Sequence, residues 1–190
     1  MEPPVVAVYD ANVLYPAPLR DLFMELAHSG LVRARWTDAI HDEWMRNVLA
    51  NNPALSRDRL ARTRDLMNEA VRDCLVTGYE GLIEHLDLPD RDDRHVLAAA
   101  IRAGAQVIVT FNLKDFPASI LSAHAIEAQH PDEFLAALFD ALPAAVRAAV
   151  ERQRERLRNP PRTTEELLAT LEGQGLIRTV ARLRSLPGPA

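Results

Sequence analysis

Acidic side chains occur at four places in the first 115 residues where the hydrophobic pattern changes, at the end of a strand or near the start of a helix. They are Asp10, Glu43, a cluster that includes Asp93, and Asp115. Carboxylate oxygens are the ligands that hard divalent cations such as Mg²⁺ prefer. Carboxylates gathered at one place repel one another unless a cation neutralises them. The four places therefore indicate a site for Mg²⁺ or Mn²⁺, whose chemistry suits phosphoryl transfer.

The elements that must position these acids alternate between buried strands and amphipathic helices. Residues 5–9 form an apolar, β-branched run that ends at Asp10, and residues 107–109 form another that leads into Thr110. Further strands are predicted at 31–36 and 125–128, and helices at 19–30, 39–49, 56–74 and 92–104. The alternation predicts an α/β fold with a doubly wound, mostly parallel sheet flanked by helices. Ligands bind beyond the carboxyl ends of such strands, where Asp10 and Thr110 both lie.

The chain from residue 131 onward has a purely helical pattern, unlike the part before it. Helices are predicted at 132–142, 143–158, 163–171 and 177–186, and Thr163 with Glu166 has the spacing of a capping box. Residues 1–130 carry 13 basic and 19 acidic side chains, whereas residues 131–190 carry 9 and 8. We predict an α/β domain at 1–130, which holds the surplus acids, and a helical C-terminal extension at 131–190.

Composition excludes several classes of protein. The 190 residues include 22 Lys and Arg against 27 Asp and Glu, a net charge of −5, and Lys114 is the only lysine. That charge argues against a protein that coats nucleic acid nonspecifically. The single cysteine, Cys74, excludes an intrachain disulfide and a multi-cysteine zinc site. No apolar run reaches the ~18 residues of a membrane span, and the N-terminus is unlike a signal peptide, so we expect a cytoplasmic protein with no membrane contact.

The acids lie in four motifs whose types and order resemble those of PIN-domain ribonucleases, over about residues 5–135. The motifs are DANVL at 10–14, Glu43 in IHDEW, Asp93 in DDRHVLAAA, and TFNLKDF at 110–116. The run HPDEFL at 130–135 resembles the VapC-type toxins of bacterial toxin–antitoxin pairs. The break at Asn159-Pro160-Pro161 and the helices after it resemble the C-terminal extension of a longer VapC subgroup.

The resemblance implies a metal-dependent endoribonuclease. The metal ligands it implies are Asp10, Glu43, Asp93 and Asp115. Thr110 and Asn112 would support them, the hydroxyl by orienting Asp10 or a water and the amide by steadying the carboxylates. It also implies an RNA substrate, a cognate antitoxin that inhibits the enzyme, and a homodimer.

Other residues near the acids have two interpretations each. Asp92 is a helix cap, since acids are favourable at a helix N-terminus, or a further metal ligand. Arg46 and Arg94 are phosphate contacts or simple counter-charges, and Asn12 is a further candidate for substrate binding. His95 fits helix packing or a substrate contact better than Mg²⁺ ligation. Arginines on two predicted helices (57–64 and 152–158) form an RNA-binding rim or ordinary solvated faces.

Two other functions remain as alternatives. Haloacid-dehalogenase-type phosphatases also have an aspartate after strand one, but they need a second acid two residues on, and Asn12 cannot exchange a proton in that way. A catalytically silent RNA- or protein-binding module on the same scaffold is the other alternative. The presence of all four acids argues against it.

Overall fold

The computed structural model describes residues 4–186. Its sheet has four parallel strands in the order β2-β1-β3-β4. The strands are β1 (Val6–Tyr9), β2 (Arg33–Arg35), β3 (Val107–Val109) and β4 (Glu127–Gln129). The central strands β1 and β3 are wholly buried, as expected for parallel strands covered on both faces. The predicted α/β fold with a parallel sheet is confirmed.

Helices fill the connections between strands and make up the C-terminal part of the described chain. They are α1 (Ala11–Leu14), α2 (Ala17–His28), α3 (Asp38–Asn51), α4 (Arg57–Ala70), α5 (Glu80–Ile83), α6 (Arg94–Ala103), α7 (Ala118–Leu121), α8 (Pro131–Ala141), α9 (Pro143–Arg156), α10 (Thr164–Gly173) and α11 (Ile177–Ser185). Most predicted helices agree within a few residues, and the capping box at Thr163 and Glu166 is confirmed. None of the helices in residues 4–186 is long and apolar enough to cross a membrane.

The predicted helix at 56–74 is too long, because α4 ends at Ala70. Asp73 has a positive φ of 56°, which a continuing helix does not allow. Beyond it the chain runs beside Trp36, whose N–H donates to the carbonyl of Cys74 and whose carbonyl accepts from Val76 N–H. Pairing with the sheet edge therefore replaces the last turn of the predicted helix.

The strand order places the β1 and β3 carboxyl ends at the point where the winding of the sheet reverses. Asp10 N–H donates to the carbonyl of Val109 at 3.1 Å, and Thr110 N–H donates to that of Gln129 at 3.0 Å. These bonds extend the ladder one residue beyond each strand. In open parallel sheets, the crevice at this switch point is where ligands bind.

The helices α8 to α11 pack on α2 and on one another. Their buried side chains belong to the same hydrophobic cluster as the sheet. Glu25 of α2, only 1% exposed, accepts from Arg152 Nε at 3.2 Å and pairs with Arg156, both on α9. Gln153 Nε2 donates to the carbonyl of Pro18 at 2.8 Å. These contacts attach the extension to the α/β part, and the division at residue 130 stays a prediction.

Candidate active site

Asp10 follows β1 and begins α1, and its side chain is 3% exposed. One carboxylate oxygen accepts from Ala11 N–H at 2.7 Å. The other accepts from Thr110 Oγ1–H and from Asn12 Nδ2, both at 2.7 Å. Burial raises the pKa of Asp10, while the Thr110 hydrogen bond lowers it and the nearby Glu43 carboxylate raises it further. The hydrogen bonds hold the carboxylate in one orientation at the carboxyl edge of the sheet.

Thr110 connects the ends of β1 and β3. Its hydroxyl oxygen accepts from Asn12 Nδ2 at 3.0 Å and from Asn112 N–H at 2.9 Å, while its hydrogen is donated to Asp10. Asn12 Oδ1 in turn accepts from Phe111 N–H at 3.1 Å. The predicted orienting role of Thr110 matches this geometry. The structure records the contribution of Asn112 through its main chain, and the role of its amide side chain stays a prediction.

Asp93 lies at the N-cap position of α6, but its side chain makes no capping hydrogen bond. Its Oδ2 atom is buried and has no hydrogen-bond partner among residues 4–186. Burial, followed by the charges of Asp10, Asp90, Asp115 and Glu43, raises the pKa of Asp93 to about 7. Asp93 therefore lies within electrostatic range of the other three predicted acids, Asp10, Glu43 and Asp115.

Glu43 is held in place by the buried side of α3. Thr37 caps this helix, and Trp44 Nε1 donates to His41 Nδ1 at 2.9 Å. The Nε2 atom of His41 lies 3.0 Å from Asn68 Oδ1. These bonds fix the rotation of α3 and leave Glu43 partly exposed, with its Oε2 atom 3.6 Å from His95 Nε2. Trp36 and Trp44 are fully buried, so they serve the core and cannot stack on RNA bases.

Asp115 lies in a short 3₁₀ helix (Leu113–Asp115) beyond β3. Its N–H donates to the carbonyl of Asn112 at 3.0 Å, which closes the turn and places the largely buried carboxylate near Asp93. Lys114 Nζ lies 3.9 Å from Asp115 Oδ2, and the lysine side chain is 81% exposed. The only lysine of the chain therefore borders the acid cluster.

The donor set fits a hard divalent cation. Oxygen donors from β1, α3, the α6 N-terminus and the 3₁₀ helix approach one another, and a buried oxygen of Asp93 has no partner within the described chain. Among residues 4–186, no group of three or more His, Cys, Asp or Glu side chains lies close enough together to hold a metal ion. Mg²⁺ does not need such a group, because it keeps several waters and takes only one or two direct carboxylates. An open set of acids is compatible with that preference.

The remaining predicted residues occupy different positions. Asp92 is exposed and its N–H donates to Asp90 Oδ1, and Arg94 pairs with Asp87 at 3.1 Å. Arg46 lines a cleft of about 310 Å³ between α3 and α4. Asn12 makes hydrogen bonds within the protein through both amide atoms. Metal binding by Asp92 and substrate binding by Arg46, Arg94 and Asn12 stay predictions.

Two further residues come to the site without having been assigned a role there from sequence. Lys114 borders Asp115, and Phe111 donates its N–H to Asn12. His95, for which helix packing and a substrate contact were the two interpretations, faces Glu43. The position of Lys114 next to an acid of the fourth motif was the available signal. Arg152 and Arg156, two of the four arginines in the second predicted rim, pair with Glu25, and RNA binding by that rim stays a prediction.

Comparison with known proteins agrees with the motifs. The sequence profile of the PIN domain matches residues 6–114, and that of the VapC50 C-terminal domain matches residues 131–185. A protein of Mycobacterium tuberculosis (strain ATCC 25618 / H37Rv), named "Putative ribonuclease VapC50", is 40% identical over 109 residues. The match covers 57% of this chain and 63% of that protein. No solved structure matches the chain significantly. The chain belongs to the PIN-domain family, and its C-terminal extension matches that of VapC50.

Proposed function

We propose that this chain is a metal-dependent endoribonuclease and the toxin of a toxin–antitoxin pair. The observation that carries the proposal is that Asp93 lies within electrostatic range of Asp10, Glu43 and Asp115 beside the switch point of the sheet. Membership of the PIN family and likeness to a protein named as a ribonuclease support the choice of RNA.

Mg²⁺ or Mn²⁺ would be held by these four carboxylates, with Asp92 as a further candidate. When bound, such an ion supplies an activated water and stabilises the charge that develops on a phosphate. Thr110 and Asn12 fix the orientation of the Asp10 carboxylate, since both donate to its Oδ2 atom, and the Thr110 hydrogen bond opposes the rise in its pKa that burial causes. Asn112 supports Thr110 through its N–H.

RNA would approach the edge of the sheet, where Lys114 borders one of the acids. Arg46, Arg94 and the exposed Lys114 are the cations that we assign to phosphate contacts there. Such contacts orient the substrate but do not read its sequence. They would let a protein of net charge −5 bind RNA at one place only.

The proposal has four further parts. They are inhibition by a cognate antitoxin, assembly as a homodimer, a cytoplasmic location and the division into 1–130 and 131–190. They are supported by the resemblance to VapC-type toxins. Expression of the chain in bacteria should arrest growth, and co-expression of its antitoxin should restore it. Light scattering of the purified chain would test the dimer.

The site is tested by cleavage of single-stranded and structured RNA with Mg²⁺, Mn²⁺ or EDTA. We expect cleavage with either cation and none with EDTA, and a loss of at least about 100-fold in Asp10→Asn and Asp93→Asn, since both residues hold the metal. Asp58→Asn, an exposed acid in the first turn of α4, is the matched control and should retain wild-type activity. Asp92→Asn tests whether Asp92 also binds the metal.

The alternatives give different outcomes in the same assay. Normal cleavage by Asp10→Asn or Asp93→Asn, with folding verified by circular dichroism, would exclude this site. A chain that binds RNA but cuts none with Mn²⁺ and without antitoxin would be a silent binding module. Turnover of a generic phosphomonoester would instead favour a phosphatase, against which the hydrogen-bonded Asn12 argues.

A further inference from the structure

Phe111 lies between the candidate active site and the C-terminal extension. On one side, its N–H donates to Asn12 Oδ1 at 3.1 Å, and Asn12 Nδ2 donates to Asp10 Oδ2 at 2.7 Å. On the other side, its ring meets that of His130 edge to face, with centroids 4.9 Å apart and an interplanar angle of 89°. The residue thus lies between Asn12 and the residue that immediately precedes α8.

The turn between α10 and α11 also reaches the Phe111 ring. Gly175 has a φ of 94°, and a Cβ atom added there would lie 3.4 Å from Phe111 Cε1. The turn has little room to shift, because Leu176 is fully buried and its N–H donates to the carbonyl of Leu171 at 3.1 Å. A glycine is therefore required at 175 by its backbone conformation, and its bare Cα faces the ring.

Asp132 holds the start of α11, directly after this turn. Its buried carboxylate accepts from the N–H groups of Arg178 and Thr179 at 2.8 Å, and from the Thr179 hydroxyl at 2.8 Å. Asp132 N–H in turn donates to His130 Nδ1 at 3.2 Å. The two groups that contact the Phe111 ring, His130 and Gly175, are therefore joined to each other through α8 and α11.

We infer that Phe111 is a positioning residue through which the C-terminal extension holds Asn12, and hence the Asp10 carboxylate, in its metal-binding orientation. The ring is fixed by His130 and Gly175, and the ring fixes the Phe111 N–H that Asn12 accepts from. Asn12 then has one orientation in which its Nδ2 atom reaches both Asp10 and Thr110. The extension then helps to orient a metal ligand of the site. The RNA-cleavage measurement in the test below rests on the proposed function.

The test measures Mn²⁺ affinity by electron paramagnetic resonance of the free ion, alongside RNA cleavage. We expect Phe111→Ala to weaken Mn²⁺ binding about 10-fold and to lower kcat with little change in KM, because groups that orient metal ligands have effects of that size. Phe111→Leu, which keeps an apolar side chain against Gly175, should recover most of the affinity. Phe139→Ala, a buried phenylalanine of α8, is the control for a purely structural loss.

A second variant tests the extension itself. Gly175→Val places a branched side chain against the ring, so it should also weaken Mn²⁺ binding. The positive φ at 175 makes valine there destabilising in either background, but Mn²⁺ affinity should fall no further in the Phe111→Ala background, because the ring transmits the effect to the metal ligand. Additive effects of the two changes would overturn the inference.

The outcomes separate this inference from the nuclease proposal. Weakened Mn²⁺ binding in Phe111→Ala, in a wild-type chain that cuts no RNA, would support the inference while the proposed function fails. If wild type cleaves RNA and Phe111→Ala matches Phe139→Ala in Mn²⁺ affinity and kcat, the inference fails and the nuclease stands.

Discussion

Acidic side chains have opposite environments in the two parts of this protein. In the C-terminal extension, Asp140 accepts two hydrogen bonds from Arg182 at 2.7 and 2.9 Å, and Glu151 accepts from Arg154. These arginines lower the pKa of both acids. At the edge of the sheet, burial and neighbouring carboxylates raise the pKa of Asp10 and Asp93.

The difference separates a part whose acids add to stability from a part whose acids reduce it. Carboxylates paired with arginines stabilise the folded chain, whereas carboxylates that repel one another destabilise it. Such a destabilising cluster is kept where function requires it. In the extension, the charged groups attach helices to one another and to α2. At the sheet edge, they leave the buried oxygen of Asp93 without a partner in the described chain, as a cation site requires.

The largest effect is expected when the pairing of Glu25 is broken. Replacing both Arg152 and Arg156 by Ala leaves a buried carboxylate without its partners, and we expect the free energy of unfolding to fall by about 2–3 kcal/mol. The expected loss is small for a broken buried ion pair, because both arginines are partly exposed to solvent. Urea denaturation measures it. Adding Glu25→Gln should restore at least half of the loss, and a double variant as stable as wild type would contradict the comparison.

A smaller loss is expected from Asp132→Asn. The substitution places an amide NH₂ where the carboxylate now accepts from Arg178 and Thr179, so one hydrogen bond is lost and a donor faces a donor. We expect about 2 kcal/mol of destabilisation at pH 7 and above, again by urea denaturation. An unchanged midpoint would show that the start of α11 does not depend on this carboxylate.

The same substitution at the sheet edge should have the opposite sign and the smallest size. The pKa of Asp93 is about 7 in the folded state and about 4 when unfolded, so its ionisation opposes folding as the pH rises above 4 and fully above 7. With EDTA at pH 8, we expect Asp93→Asn to stabilise the chain by about 1–2 kcal/mol, a value reduced for solvent screening.

The gain from Asp93→Asn should shrink as the pH falls toward 4 and disappear below it, where the wild-type carboxyl is protonated in both states. Saturating Mn²⁺ at pH 8 should raise the melting temperature of wild type and leave that of the variant nearly unchanged. Thermal denaturation at the two pH values checks both statements. Destabilisation by Asp93→Asn at pH 8 would show that the two acidic environments do not differ as described.

Much of the fold and of the candidate site could be predicted because its signals are local. Apolar runs mark β1 and β3, and Asp10 and Thr110 follow these strands directly in the sequence, so topology alone brings the two together. The pairing of Glu25 with Arg152 joins residues 127 positions apart and has no local signature. The end of α4 was missed because the left-handed turn at Asp73 depends on pairing with Trp36, which lies in another part of the chain.

The position of Lys114 has a practical consequence for proteolysis. An endoproteinase specific for lysine has a single peptide bond to cut in all 190 residues, and that bond lies in the 3₁₀ turn beside Asp115. Cleavage there would separate β1, β2 and β3 from β4 and the whole C-terminal extension. The rate at which folded protein is nicked would therefore report how often this one turn opens, and a ligand that ties Asp115 to its neighbouring acids would slow the nicking.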